Sequence, residues 1–256
     1  VKHWVKRARD LDDGSAKVLK LTFHETFEAD IGGVRFQCFR SPRKESRILD
    51  LMAEHPNFMH GVWYNDTAGN NVRVLDFIRG KPLADREEAM DMDHETYFHG
   101  PLPGILDGFL ECCRGIALLH ANGEKHGDIR RDHILVDIAD GRYRWIDFDY
   151  NYRHHENIYA YDLFGLGNIL TFLVGKGDVH PAAVRDETPD VFETLYWEDL
   201  NVVFQNRVGN LRKIYPYVPE ALNRVLLHFC NGAKAHYETT DQFVEELAEA
   251  REGLGR

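Results

Sequence analysis

The stretch from Lys125 to Tyr150, KHGDIRRDHILVDIADGRYRWIDFDY, restricts the possible folds more than any other part of the chain. Two apolar runs, Ile134-Leu-Val136 and Tyr143-Arg-Trp-Ile146, flank Asp140-Gly141 as a turn, so they pair as a hairpin. That pairing brings His126-Gly-Asp128 and Asp147-Phe-Asp149 to the same end. Carboxylates gathered in a partly dehydrated cleft repel one another unless a cation or a shared proton compensates. A divalent metal is the simplest compensator, and one or two carboxylates plus phosphate oxygens describe a magnesium site of the phosphoryl-transfer kind.

The same residues carry a family resemblance. The protein-kinase-like superfamily has His-Arg-Asp, four residues, Asn, two or three aliphatic residues, a short hairpin and then Asp-Phe-Gly. The matching positions are His126-Gly127-Asp128, His133 in place of Asn, Ile134-Leu135-Val136, and Asp147-Phe148-Asp149. His-Gly-Asp, the His for Asn and Asp-Phe-Asp resemble the bacterial lipopolysaccharide-core (Kdo and heptose) kinases and atypical small-molecule kinases. The resemblance implies an α+β, two-lobed protein-kinase-like fold, with a small antiparallel-sheet N-lobe and one helix over residues 1–79. A mainly helical C-lobe follows over 80–256. It also implies ATP with magnesium, or manganese, as cofactors. Asp128 would orient the acceptor hydroxyl, Asp147 and His133 would ligate the metal, and His126 would pack the loop. An imidazole is a poorer magnesium ligand than an amide oxygen, so three outcomes stay open: His133 serves as a ligand, one metal is held mainly by Asp147, or catalysis is lost. Asp132 and Asp149 either add carboxylates near the metal or are solvated turn residues.

In the first 40 residues Ala16 to Phe23 and Val34 to Phe39 read as strands, with Gly32-Gly33 as turn chemistry between them. Asp12-Asp-Gly14-Ser-Ala stands where the family has its glycine-rich loop, and no G-x-G-x-x-G is present. If Val34 to Arg40 is the third strand, Gln37 occupies the place of the ATP-contacting lysine. Lys20 from a neighbouring strand is the alternative, and an exposed strand lysine is the bland reading. Ser41-Pro42 opens a helix with Ile48, Leu49, Leu51 and Met52 near one apolar face, and His55-Pro-Asn57 stops it. By resemblance its Glu45 pairs with the lysine; otherwise it is a solvated first-turn acid. Strands at Phe58 to Tyr64 and Val72 to Phe77 follow. Leu75 to Leu83 resembles the kinase hinge, making Asp76 and Ile78 candidate contacts to adenine.

Residues 84 to 102 are acidic and read as an irregular surface segment. Helical spacing resumes from Pro103 to Ala121, and Tyr159 to Gly167 resembles the central C-lobe helix, whose first-turn Asp162 would brace the catalytic loop. Val191 to Phe204 and Pro219 to Phe229 have helix-compatible spacing, and a last helix opens at Thr240. Between Asp149 and that central helix there is no room for the long activation segment and Ala-Pro-Glu that hold a peptide. The acceptor is therefore expected to be a small molecule, sugar or lipid, including a glycolipid.

With 256 residues, 43% of them hydrophobic, the chain has ample material for a core. Its net charge of −11 argues against nucleic acid as a general partner. Cys38, Cys112, Cys113 and Cys230 form no C-x-x-C, which fits a reducing cytoplasm. No apolar run approaches the roughly 20 residues of a membrane span, and VKHWVKRARD lacks the apolar core of a signal sequence. His24 and His154-His155 lack the context of a zinc site. The rival to an enzyme is a pseudokinase serving as a nucleotide-sensing or protein-binding module. It is motivated by the missing glycine loop, Gln37, His133 and Asp149.

Overall fold

The computed structural model describes residues 3–31, 33–153 and 157–255. Its N-terminal part carries an antiparallel sheet built from β1 (Val5–Arg9), β2 (Ala16–Lys20), β5 (Gly61–Asn65) and β6 (Asn71–Asp76), in the order β1-β2-β6-β5. The expected strand from Ala16 to Phe23 ends at Lys20. The chain then leaves this sheet and forms β3 (Thr26–Ile31) and β4 (Val34–Arg40), a hairpin of its own. Of the Gly32-Gly33 turn, Gly32 lies outside the described residues, as do His154 and His155; Gly33 has φ +81°, a value glycine adopts without steric cost.

The second strand of that hairpin is the one expected from Val34 to Phe39, whereas β3 and the separation of the hairpin from the first sheet are not expected from the sequence. Its alternation turns Phe36 and Cys38 inward and leaves Arg35 and Gln37 outside, and the inward pair packs on Tyr152 as a small separate core. Tyr152 belongs to β10 (Tyr150–Arg153), which follows Asp149 and pairs with β4 in the register Tyr150↔Arg40 to Arg153↔Gln37. The segment after Asp149 is thus a strand in a three-stranded sheet ordered β10-β4-β3.

Between β4 and β5 lies α1 (Pro42–Leu51), which opens on Ser41-Pro42 as expected and buries Ile48 and Leu49. Leu51 departs from the expected apolar face and is exposed. After β7 (Gly80–Pro82), residues 84–102 are not irregular. They form α2 (Leu83–Glu88) and α3 (His94–His99), the latter capped by Asp93, whose carboxylate accepts from the Thr96 N–H. Tyr97, Phe98 and Leu102 are buried among the acids, and it is these apolar side chains that dock the segment.

The expected long helix is α4 (Leu102–Ala121), with Ile105, Phe109, Cys112, Cys113, Ile116 and Leu119 buried at helical spacing. β8 (Ile134–Asp137) and β9 (Tyr143–Trp145) pair as the expected hairpin, with Ile134 opposite Trp145 and Val136 opposite Tyr143. The Trp145 indole donates to the Cys112 carbonyl at 3.0 Å, which fixes the hairpin on α4. α5 (Ala160–Val174) follows, then α6 (Pro181–Glu187) and α7 (Pro189–Phe192). The helix expected over Val191 to Phe204 gives way to a short 3-10 turn at Trp197–Asp199 and bridges from Leu200 to Val208 and Asn201 to Cys230. Asp199 accepts from the Tyr196 and Gly209 backbones through its carboxylate and carbonyl, satisfying groups a helix would otherwise have paired. α8 (Glu220–Leu227) and α9 (Thr240–Glu252) complete the chain; the N-cap of α9 is Thr239, in a capping box with Gln242. Among the described residues no helix is long and apolar enough to cross a membrane.

Candidate active site

The catalytic-loop candidate is held by its backbone. Asp162, in the first turn of α5 and fully buried, accepts from the His126 N–H and the Gly127 N–H, each at 2.8 Å, and from His120 Nε2 at 2.9 Å. Burial alone would raise its carboxyl; the His120 hydrogen bond and the neighbouring positive charge outweigh that and hold it below the ordinary range. His126 is fully buried against Trp145 and Phe148. Its Nδ1 accepts from the Asp128 N–H at 3.3 Å, and burial pushes the imidazole down to about 3, so it is a neutral packing group.

Lys44 of α1 reaches across to the same loop. Its ammonium side chain, with no exposed surface, donates to the His126 carbonyl at 2.6 Å and to the Tyr150 carbonyl. Burial pushes it down to about 8, and a neutral amine has two N–H donors for these two carbonyls. Unfolded, Lys44 keeps its proton to its ordinary value of 10.5; between the two values the unfolded chain holds the extra proton, so stability rises with pH across this window. Below it both states are protonated and the whole penalty is present. Between about pH 7.5 and about pH 9.5, wild type should gain roughly 2 kcal/mol relative to Lys44→Met. Urea midpoints at the two pH values measure this, and an unchanged gap would show that Lys44 does not titrate there.

Lys20, not Gln37, meets Glu45. The last residue of β2, it is buried and donates to Glu45 Oε1 at 2.7 Å and to Asp147 Oδ1 at 2.8 Å, with Asp149 Oδ2 at 3.4 Å. Burial alone would lower the ammonium, but the three carboxylates outweigh it and hold Lys20 above its ordinary value. Glu45 takes a second cation, Arg73 Nε, at 2.8 Å. Asp149 is neither a metal-side carboxylate nor a solvated turn residue. It is buried, and Arg40 grips both its oxygens at 2.8 and 2.9 Å. Burial would raise its carboxyl, and Lys20 and Arg40 together pull it below the ordinary range. Arg40, Arg73 and Lys44 are functional-site neighbours that sequence reasoning missed, because nothing in their local sequence distinguishes a buried cation from a surface one.

Asp128, His133 and Asp147 lie side by side. His133 Nδ1 donates to the Asp128 carbonyl at 2.8 Å, with Asp128 Oδ2 at 3.5 Å, and its Nε2 stands 3.7 Å from Asp147 Oδ2. Because a carbonyl can only accept, Nδ1 carries a proton, and in the neutral tautomer that donates there the Nε2 lone pair lies on the edge toward Asp147. One imidazole nitrogen and one carboxylate oxygen, facing each other across a gap, suit two ligands of a divalent cation whose other positions go to phosphate and water. Among the described residues no three His, Cys, Asp or Glu side chains form a protein-only metal cage. Burial raises the Asp128 carboxyl, opposed by His133 and Arg130. Asp147 has φ +61°, a left-handed backbone uncommon for a non-glycine residue. Asp132 pairs with Arg130 at the surface.

A cavity of about 220 Å³ opens beside Lys20 and Asp147, lined otherwise by apolar groups such as Val18, Leu75, Leu135 and Ile146 and by Asp76 to Ile78. The Asp76 carboxylate turns to Lys17 at 2.7 Å, and the Ile78 N–H has no partner among the described residues. The Asp12 to Ala16 turn joins β1 to β2, and none of residues 10–15 lines this cavity. On the other side, Asp128 lines a second cavity of about 420 Å³.

No protein-family model matches the sequence, and no curated protein matches it. The fold does match solved structures. The crystal structure of the Mycobacterium tuberculosis PknI kinase domain superposes with a TM-score of 0.54 at 13% identity, over 96% of this chain and 90% of that one. With the sheet, the helical region and the two loops as described, the chain has a protein-kinase-like α+β fold.

Proposed function

We propose that this protein is an ATP- and divalent-metal-dependent phosphotransferase of the cytoplasm. It would act on the hydroxyl of a small molecule, sugar or lipid rather than of a peptide. One observation carries the reading: Asp147 lines one cavity, Asp128 lines the next, and His133 stands between them at 3.7 and 3.5 Å. Residues 1–79 and 80–256 are taken as the lobes closing on the nucleotide. Lys20, positioned by Glu45, serves the phosphates, and the Ile78 N–H with the Asp76 backbone serves the adenine edge. Asp147 and His133 would hold magnesium or manganese, which when bound neutralises charge on the phosphates. Asp128 orients the acceptor hydroxyl. As the acceptor oxygen bonds to the γ-phosphorus, the bond to the β–γ bridging oxygen breaks, ADP leaves, and the hydroxyl proton passes to the Asp128 carboxylate and then to solvent. Burial of Asp128 suits it to receiving that proton. That only ten residues, Tyr150 to Tyr159, lie between Asp149 and α5 supports an acceptor other than a peptide.

Titration calorimetry with ATP, with and without magnesium or manganese, should show metal-dependent binding, and Asp128→Asn should slow ATP turnover at least about 100-fold. A pseudokinase is favoured by one feature: Asp147 Oδ1 already answers Lys20 at 2.8 Å. ATP binding indifferent to metal, with no turnover, would establish that reading instead.

A further inference from the structure

The second cavity holds chemistry that phosphoryl transfer alone does not call for. Phe27 of the β3–β4 hairpin, Tyr161 and Phe164 of α5, and Phe204 give it aromatic walls. Three arginines also line it, and they are not equivalent. Arg130 closes on Asp132 through two hydrogen bonds of 2.9 and 2.8 Å, which satisfies it locally. Arg131 and Arg207 share the single carboxylate of Asp178, at 3.0 and 3.1 Å, so one positive charge of the three groups is unmatched. Arg207 also lies over the Phe204 ring at 4.0 Å. Its Nε is buried and has no acceptor among the described residues. A desolvated guanidinium donor left unpaired is costly, and an anion that fills it recovers that cost with a charge-assisted bond.

Resting on the phosphotransferase reading, we infer that the acceptor is a small ring-bearing hydroxy compound carrying a carboxylate or phosphate, anchored by Arg207 and Arg131. The aromatic walls take the ring face. The charges set its direction: Asp128 repels the anionic end and the arginines draw it, so the hydroxyl is left facing Asp128. Transfer then joins the acceptor oxygen to the γ-phosphorus, releases ADP and gives the hydroxyl proton to Asp128, as above.

The test is binding of D-glucose, D-glucuronate and D-glucose 6-phosphate to the whole protein, measured calorimetrically beside ATP with magnesium. These share one ring and differ in having no anion, a carboxylate or a phosphate. At least one anion should bind about tenfold or more tightly than glucose, the stronger of the two naming the anionic group. Arg207→Met should abolish that preference; should it not fold, Arg131→Met gives the second variant, and the wild-type comparison stands without either. Equal binding of all three, or no binding of either anion while ATP with magnesium binds, overturns the inference and leaves the phosphotransferase reading intact. Failure of ATP with magnesium to bind strikes that reading first, and the inference with it.

Discussion

Exchanging Gly127 for alanine should cost the fold more than about 4 kcal/mol, a large share of the roughly 5–15 kcal/mol that keeps a domain folded. Gly127 has φ +83°, and a Cβ there would fall on the Tyr150 carbonyl, 2.7 Å from its carbon, and 3.1 Å from Lys44 Nζ. The left-handed backbone alone costs a side chain roughly 1–2 kcal/mol. The neighbour cannot retreat, because Tyr150 is bonded into β10 and its carbonyl accepts from the buried Lys44. Soluble yield and thermal unfolding measure the effect. A Gly127→Ala protein melting within a few degrees of wild type would mean that the two segments do not approach this closely. The same geometry explains why glycine stands where the related pattern has arginine: β10 passes over the position.

Lys20→Met should destabilise the chain by about 3–5 kcal/mol and, on the function proposed above, weaken ATP binding. Breaking a buried ion pair by removing one partner leaves charge uncompensated, which is where penalties of that size arise. Arg73 still serves Glu45, and Arg40 still serves Asp149. Asp147 and Asp149, however, lose the cation that stood between them. Lys20→Arg should rescue little, since a planar fork does not replace a compact ammonium among three converging carboxylates. Urea unfolding gives the stability change and ATP titration the nucleotide effect. A loss below about 1 kcal/mol would place Lys20 among ordinary surface pairs.

What could be read in the letters was what is encoded locally. The Ile134 to Ile146 hairpin follows from its apolar runs and turn residues and α4 from its period; the Asp162 brace is implied by the resemblance of Tyr159 to Gly167 to the central C-lobe helix of kinases. Lys20 and Gln37 could not be separated, because the choice depends on which sheet each strand joins, and β4 joins β10 from more than 100 residues away. Gln37 then points outward while Lys20 is enclosed. The acidic run after residue 84 misled for a related reason. Charge density is read residue by residue, whereas Tyr97, Phe98 and Leu102 decide where the segment lies. Asp149 was misplaced because its partners, Arg40 and Arg73, come from two other strands.

The union of β10 with β4 also bears on control. In enzymes switched by a loop, the segment after the metal-binding aspartate swings between arrangements, and covalent modification selects one. Here that segment is zipped to its neighbour over four residue pairs and pinned by Lys44. Releasing it would break a sheet and expose a buried amine. For the phosphotransferase proposed above, the machinery would therefore stand permanently assembled, and throughput would follow the supply of the two reactants rather than an on–off signal written on the loop.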